Sequence, residues 1–204
     1  MIKDLASKIY SWLRPAIAYG NGNEIVMPAK HSGVKVRIYG NNNKVIIAKN
    51  CFARDTTINV HGDNNTLIVG DAARLIGPIF ITVRNGGGLY IGAKCAIRGV
   101  TFEISEASMK LGERCMFSYG IIMRNHDSHK VLSKETGDVI NKPMDVVLGD
   151  HVWVCENATI MKGVTIGNDS IVALGALVTK NVPSNCVAAG IPAKITKTDI
   201  TWDY

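Results

Sequence analysis

The sequence predicts an all-β protein wound as a parallel β-helix, and three observations lead there. Leu148, Val154, Ile160, Ile166, Val172 and Val178 stand at an unbroken spacing of six. Four residues after each stand Val152, Ala158, Val164, Ser170, Ala176 and Val182, all of modest size. A six-residue beat is neither the 3.6-residue period of a helix nor the simple alternation of a free strand; it marks a chain that winds a prism and stacks its coils. Third, the beat returns upstream. Ile47-Ala48-Lys49-Asn50-Cys51, Val69-Gly70-Asp71-Ala72-Ala73, Ile91-Gly92-Ala93-Lys94-Cys95 and Leu111-Gly112-Glu113-Arg114-Cys115 restate Leu148-Gly149-Asp150-His151-Val152.

Ahead of the repeats, residues 2–14 read as an amphipathic helix. Ile2, Leu5, Ile9, Trp12 and Leu13 share one face and Pro15 ends it. Lys3, Lys8 and Arg14 would let it lie on an anionic membrane surface as a peripheral contact. The alternative is a lid on the open end of the β-helix, which otherwise offers unpaired strand edges. Cations interleaved with Asp4 favour the lid or a subunit contact. The expected organisation is therefore a helical cap over 1–20 and a β-helix domain over 21–204.

The upstream coils are longer than the regular ones. Their starts lie 22, 22 and 20 residues apart, against 18 from Leu148 to Ile166, which is three hexads. The surplus sits in Gly40-Asn41-Asn42-Asn43, Gly62-Asp63-Asn64-Asn65, Asn85-Gly86-Gly87-Gly88 and Glu106-Ala107-Ser108. Gly and Asn tolerate positive φ, so these are corners where an added residue costs little. From Leu111 to Leu148 the step is 37, so one coil carries about nineteen extra residues. A long loop, residues 125–143, leaves the prism there.

Composition fits. Hydrophobic residues make up 47% and aromatics only 6%, as a narrow prism filled with Ile, Val, Leu and Ala requires. Cys51, Cys95 and Cys115 occupy the small interior slot and are expected to be buried free thiols. Met1-Ile2-Lys3-Asp4 does not begin a cationic leader with an apolar core, and no stretch approaches membrane-spanning length, so a cytoplasmic protein is expected. The net charge of +6 suits anionic ligands; without an aromatic-rich basic patch it does not argue for nucleic acid.

The run from Val147 to Pro183, followed by Ala189-Gly-Ile-Pro-Ala-Lys-Ile195, resembles the hexapeptide-repeat acyltransferases. Arg124-Asn-His-Asp-Ser-His129, Ser133-Lys-Glu-Thr-Gly-Asp-Val-Ile-Asn141 and Gly149-Asp-His-Val-Trp153 carry a further likeness to bacterial O-acetyltransferases of capsular and surface polysaccharides, notably those acting on polysialic acid. The resemblance implies a left-handed β-helix, a homotrimer, acetyl-CoA as donor co-substrate and a carbohydrate acceptor. The general chirality of parallel crossovers alone would have given the opposite hand.

Acetyl transfer from a thioester to a sugar hydroxyl needs a base, and histidine suits it near neutral pH. In the family this histidine opens the excursion, with a Lys-Pro or similar pair some fourteen residues on. His129 with Lys142-Pro143 matches, whereas His126 comes three residues early and reads as a bystander. Lys130 stands where the family often has Pro. Asp127 either orients the His129 imidazole, as the carboxylate of a triad does, or is a solvated turn residue.

Trp153 follows the interior slot at Val152, so it should point outward; the resemblance puts a tryptophan of this context beside the active site. Packing in the subunit interface is the alternative. Both hold if the cleft lies between neighbouring subunits. Lys180, in Val178-Thr179-Lys180, matches the position that relatives turn to the nucleotide phosphates, with Lys194 and Lys197 next. Gly175 and Ala176 would let the pantetheine arm approach backbone. The tail Asp199-Ile-Thr-Trp-Asp-Tyr204 adds an aromatic surface or simply packs.

Other classes fit less well. Zinc-binding trimers of this shape place two histidines five apart on a coil, and here the residue five after His151 is Glu156, so no metal site is expected. A non-catalytic β-helix leaves the long loop unexplained. A serine O-acetyltransferase would bring a large helical N-terminal domain. An antibiotic-inactivating or small-sugar O-acetyltransferase is the nearest rival.

Overall fold

The computed structural model describes residues 15–203, and every regular element among them is a β-strand. The helix expected over 2–14 lies outside the described residues. The strands form three walls of a parallel solenoid. Face one contains Ala16–Tyr19, Lys35–Tyr39, the second half of Phe52–His61, the second half of Arg74–Arg84, Val100–Ser105, Ile121–Arg124, Thr159–Ile160 and Leu177–Val178. Face two is a seven-stranded sheet running from Glu24–Val26 to Thr165–Ile166. Face three runs from Lys30–Ser32 to Val187–Ala189. The chain visits the faces in that order, coil after coil.

The register is the one the repeats predict. On face two Ile47, Val69, Ile91, Leu111, Leu148 and Ile166 are successive partners, and an isolated bridge adds Val182. Unequal spacing in the sequence thus becomes equal stacking in space, because the surplus is absorbed at the corner between faces one and two. There Asn42, Asn64, Asn85 and Glu106 adopt positive φ. The solenoid starts earlier than residue 21: Ala16–Tyr19 pairs in parallel with Val36–Tyr39 and belongs to the first coil.

The core is one continuous column of Ile, Val, Leu and Ala. Cys51, Cys95 and Cys115 are buried in it, all five cysteines are free thiols, and burial raises the pKa of Cys51 and Cys155. A buried asparagine ladder lines the corner between faces one and two. Asn43 Nδ2 donates to Asn23 Oδ1 (3.0 Å), Asn65 Nδ2 to Asn43 Oδ1 (2.9 Å), and Asn65 Oδ1 accepts from the Gly87 N–H (3.1 Å). These amides satisfy donors and acceptors that the turns leave unpaired; each one orphaned would cost about 1–3 kcal/mol. Outside the same corner Tyr19, Tyr39 and His61 stack at 5.1 and 5.2 Å, one ring per coil.

At the C-terminal end Lys194–Lys197 turns back and pairs antiparallel with Val187–Ala189. The tail then crosses the last coils and buries Trp202. Among the described residues no helix is long and apolar enough to cross a membrane.

Candidate active site

The long loop leaves face one after Arg124 and rejoins face two at Val146, at the corner where the other coils need only a short turn. It is a tethered structure. An antiparallel bridge between Leu132 and Val139, with the Ile140 N–H donating to Val131 O (2.9 Å), closes its outer part. Asn141 fastens the root: its Nδ2 donates to Asp127 Oδ2 (2.9 Å) and to His129 O (2.8 Å), while its Oδ1 accepts from the Val131 N–H (2.7 Å). From the next coil Lys162 reaches up to pair with the Asp127 carboxylate and to donate to Asn141 O (3.0 Å).

Beneath the loop is a groove of about 690 Å³, lined by Arg84, Asn85, Ser105, His126, His129 and Lys142 among others. The two loop histidines differ sharply. His126 is 7% exposed; its Nδ1 accepts from the Ser128 N–H (3.0 Å), so the ring carries its proton on Nε2. Burial, reinforced by Arg84, lowers its pKa below the ordinary 6.5. It is a neutral donor at pH 7. His129 is exposed at the mouth, held by its backbone, with its N–H on Asp127 O (2.7 Å). Its imidazole is open to solvent and to the groove.

Asp127 does not hold the His129 ring. Its carboxylate is taken by Lys162 and Asn141, and the Lys162 hydrogen bond is the main reason its pKa falls below the ordinary 3.8. It acts on His129 only by shaping the loop. A carboxylate whose pKa is lowered on folding stabilises the folded form above about pH 3.8, and that contribution is lost as pH falls through the lower folded value. At neutral pH the tether is fully formed. Lys162→Met should therefore raise the rate of proteolysis within residues 130–140 roughly three- to tenfold at pH 7. The parent should become equally susceptible, to pepsin, only in strong acid; equal resistance of the two proteins at pH 7 would refute the tether.

Trp153 begins the face-three strand Trp153–Val154, level with Met116 and Ile171, and so stands away from the loop corner within one chain. It points outward as expected but is partly buried, and the tail covers it. Trp202 packs against it at 5.8 Å, stacks on His151 at 3.9 Å and donates its Nε1–H to His151 O (2.8 Å). The tail's tryptophan is thus a packing residue. The Trp153 Nε1–H is buried without a partner.

The donor candidates spread over several edges. Thr179 and Lys180 are exposed at the same corner as the loop, two coils further on. Gly175 lies at the other edge of face one, with open space where a Cβ would stand. Ala176 is buried in the core and offers only its backbone. Lys194 and Lys197 are exposed on the returning strand beside face three. Among the described residues no group of three or more His, Cys, Asp and Glu side chains is placed to hold a metal.

Sequence reading missed Lys162, Asn141, Arg84 and Arg124. A signal for the first existed: Met123 pairs with Ile160, and two residues beyond that pair Lys162 comes level with the loop root.

Residues 145–180 match the model of the bacterial transferase hexapeptide family, six repeats. A polysialic acid O-acetyltransferase of Neisseria meningitidis is 36% identical over 133 residues, 65% of this chain; the match spans 61% of that relative's own length. The crystal structure of the polysialic-acid-specific acetyltransferase NeuO superposes with a TM-score of 0.86 at 34% identity, over 93% of this chain and 88% of that one. The polysialic acid O-acetyltransferase OatWY gives 0.85 at 32% identity, over 92% of each. With identities of 34% and 32% over more than nine-tenths of this chain, the chain belongs to the hexapeptide-repeat acetyltransferases.

Proposed function

We propose that this chain is an acetyl-CoA-dependent O-acetyltransferase of a capsular or surface polysaccharide, working as a trimer of left-handed β-helices. The observation that carries the reading is the tethered loop, which holds an unencumbered His129 over a groove at the edge of an otherwise uninterrupted prism. Similarity to polysialic acid O-acetyltransferases supports the acceptor class, and the left hand follows from membership of the family.

In this reading a ring nitrogen of His129 takes the proton of an acceptor hydroxyl as the oxygen attacks the thioester carbonyl. The tetrahedral intermediate collapses, the C–S bond breaks, and the imidazolium returns the proton to the departing CoA sulfur. One acetyl ester and one free thiol result. Asp127, Asn141 and Lys162 keep the loop in place for this step.

Assembly completes the site. Phe80 and Ile122 are exposed on face one in a row with Thr101, Thr159 and Leu177, an apolar stripe that a second copy would cover. Three copies about a threefold axis would bring the loop of one against face three of the next, so His129 and Trp153 share a cleft although they lie on different walls of one chain. The donor's phosphates would meet Thr179 and Lys180 on the loop edge, with Lys194 and Lys197 as further cations and Gly175 leaving room for the pantetheine arm. Lys180→Ala should weaken acetyl-CoA binding by about 1–3 kcal/mol, a loss that shrinks as salt rises. Unchanged affinity at low salt, measured by calorimetry, would move the phosphates elsewhere.

The function is tested by acetyl-CoA consumption with acidic oligosaccharides of increasing length, the free monosaccharide and acetylatable antibiotics. Turnover should rise with chain length, because neighbouring units add binding energy. Faster turnover with a monosaccharide or an antibiotic would overturn the acceptor class.

A further inference from the structure

Five buried side-chain polar atoms among the described residues have no hydrogen-bond partner, and four of them sit together at the root of the loop: Arg84 Nε, Arg124 Nε, Asn125 Nδ2 and His126 Nε2. With His126 protonated on Nε2, all four are N–H donors. An orphaned buried donor costs free energy, so a cluster with no acceptor among them points to a ligand that supplies one.

The local charge has the same sign. Arg84 closes its strand on face one and shares Glu103 with its neighbourhood, its Nη2 lying 3.2 Å from Glu103 Oε2. Arg124 stands level with Glu103 on the next strand, and its Nε is buried without a hydrogen-bond partner among the described residues. The one carboxylate level with Arg124 is thus engaged by Arg84. The other acid nearby, Asp127, is already neutralised by Lys162. Arg84 and His126 both line the groove, Lys130 and Lys142 stand at its rim, and Glu106 is the remaining acid on its wall. Both arginines depress the His126 pKa, after burial itself, which places the ring within their field.

From this arrangement we infer that Arg84, Arg124 and His126 form a pocket for a carboxylate of the acceptor, so that the enzyme acts on a glycan whose units each carry an acid group. This rests on the acceptor reading above and assigns its specificity to named residues. A planar carboxylate accepts from a guanidinium and from a neutral imidazole N–H at once, so His126 needs no charge to take part. Docking of that group would position the sugar while His129, three residues on, faces a hydroxyl. His126 is then a binding residue, neither the base nor a bystander.

The test compares an acidic oligosaccharide with the same oligosaccharide converted to its methyl ester, on the parent and on Arg124→Gln, Arg124→Lys and His126→Gln. In the parent, esterification should raise the acceptor KM roughly 10–100-fold, with the acetyl-CoA KM unchanged. Arg124→Gln should raise the KM for the acid by a similar factor and abolish the preference for acid over ester; Arg124→Lys should recover part of it. Equal use of acid and ester by the parent overturns the pocket and leaves acetyl transfer to glycans standing. An Arg124→Gln effect confined to the acetyl-CoA KM gives the donors to the cosubstrate phosphates instead. Dissociation of the assembly with the acid preference intact gives them to a neighbouring subunit's carboxylate. Should no glycan be acetylated, the acceptor reading fails, and saturation-transfer NMR decides the pocket by itself: selective binding of the acid supports it, equal binding of acid and ester overturns it.

Discussion

Replacing His129 by alanine is expected to lower kcat by about 10²–10⁴-fold and to leave acetyl-CoA affinity nearly unchanged, because a base acts only as the acceptor hydroxyl loses its proton. The structure sharpens the contrast with His126. That ring already spends Nδ1 on the Ser128 N–H and presents a proton, not a lone pair, to the groove. His126→Ala should therefore act mainly on the acceptor KM, with a much smaller loss in kcat. Steady-state kinetics on the two variants separate the roles. If His126→Ala produced the collapse in kcat and His129→Ala did not, the base would have been assigned three residues too late.

Mixing two dead enzymes should give a live one. Within one chain His129 stands at the corner of faces one and two and Trp153 on face three, so a cleft that uses both must join two copies. If the proposed trimer is right, His129→Ala and Trp153→Ala proteins should each be nearly inactive. When they are unfolded, mixed in equal amounts and refolded together, about a quarter of the interfaces should pair an intact His129 with an intact Trp153. Activity should recover to roughly that fraction of the parent. No recovery, in a mixture shown by light scattering to contain mixed assemblies, would mean that each chain carries a complete site or that Trp153 has no part in it.

Much of the architecture was legible in the sequence because a solenoid is nearly one-dimensional: each coil meets only its neighbours, so spacing along the chain converts directly into register. The steps of 22, 22, 20 and 37 residues between Ile47, Val69, Ile91, Leu111 and Leu148 are the face-two partners themselves. The loop was legible as the one step too long to be a coil. What it contains was less so. Asp127 and Lys162 are 35 residues apart; the coil register brings Lys162 level with the loop root, but nothing in the sequence says that it will take the carboxylate. Trp153 was readable as outward, since Val152 fills the interior slot, but its cover arrives from Trp202 after the repeats have ended. Ala176 obeys the inward hexad slot and so presents only its backbone to the surface.

The reversal at Lys194–Lys197 bears on what a stacked-coil protein must avoid becoming. A final coil with bare N–H and C=O groups is a template on which another molecule's first coil could continue, and the product of that continuation is a fibre. Here the last wall of face three receives a strand of opposite direction, and its outer edge carries two exposed lysines. The Ala193 N–H also occupies Leu177 O (2.8 Å), and the Leu177 N–H is spent on Gly190 O (3.0 Å). A parallel newcomer finds the wrong polarity and like charges. Ending the chain at Ala189 should undo this and yield long sedimenting assemblies; a truncated chain that stayed as discrete particles would show that the edge is guarded by something else. Among the described residues those after Ala189 add no coil, and they close the edge of face three.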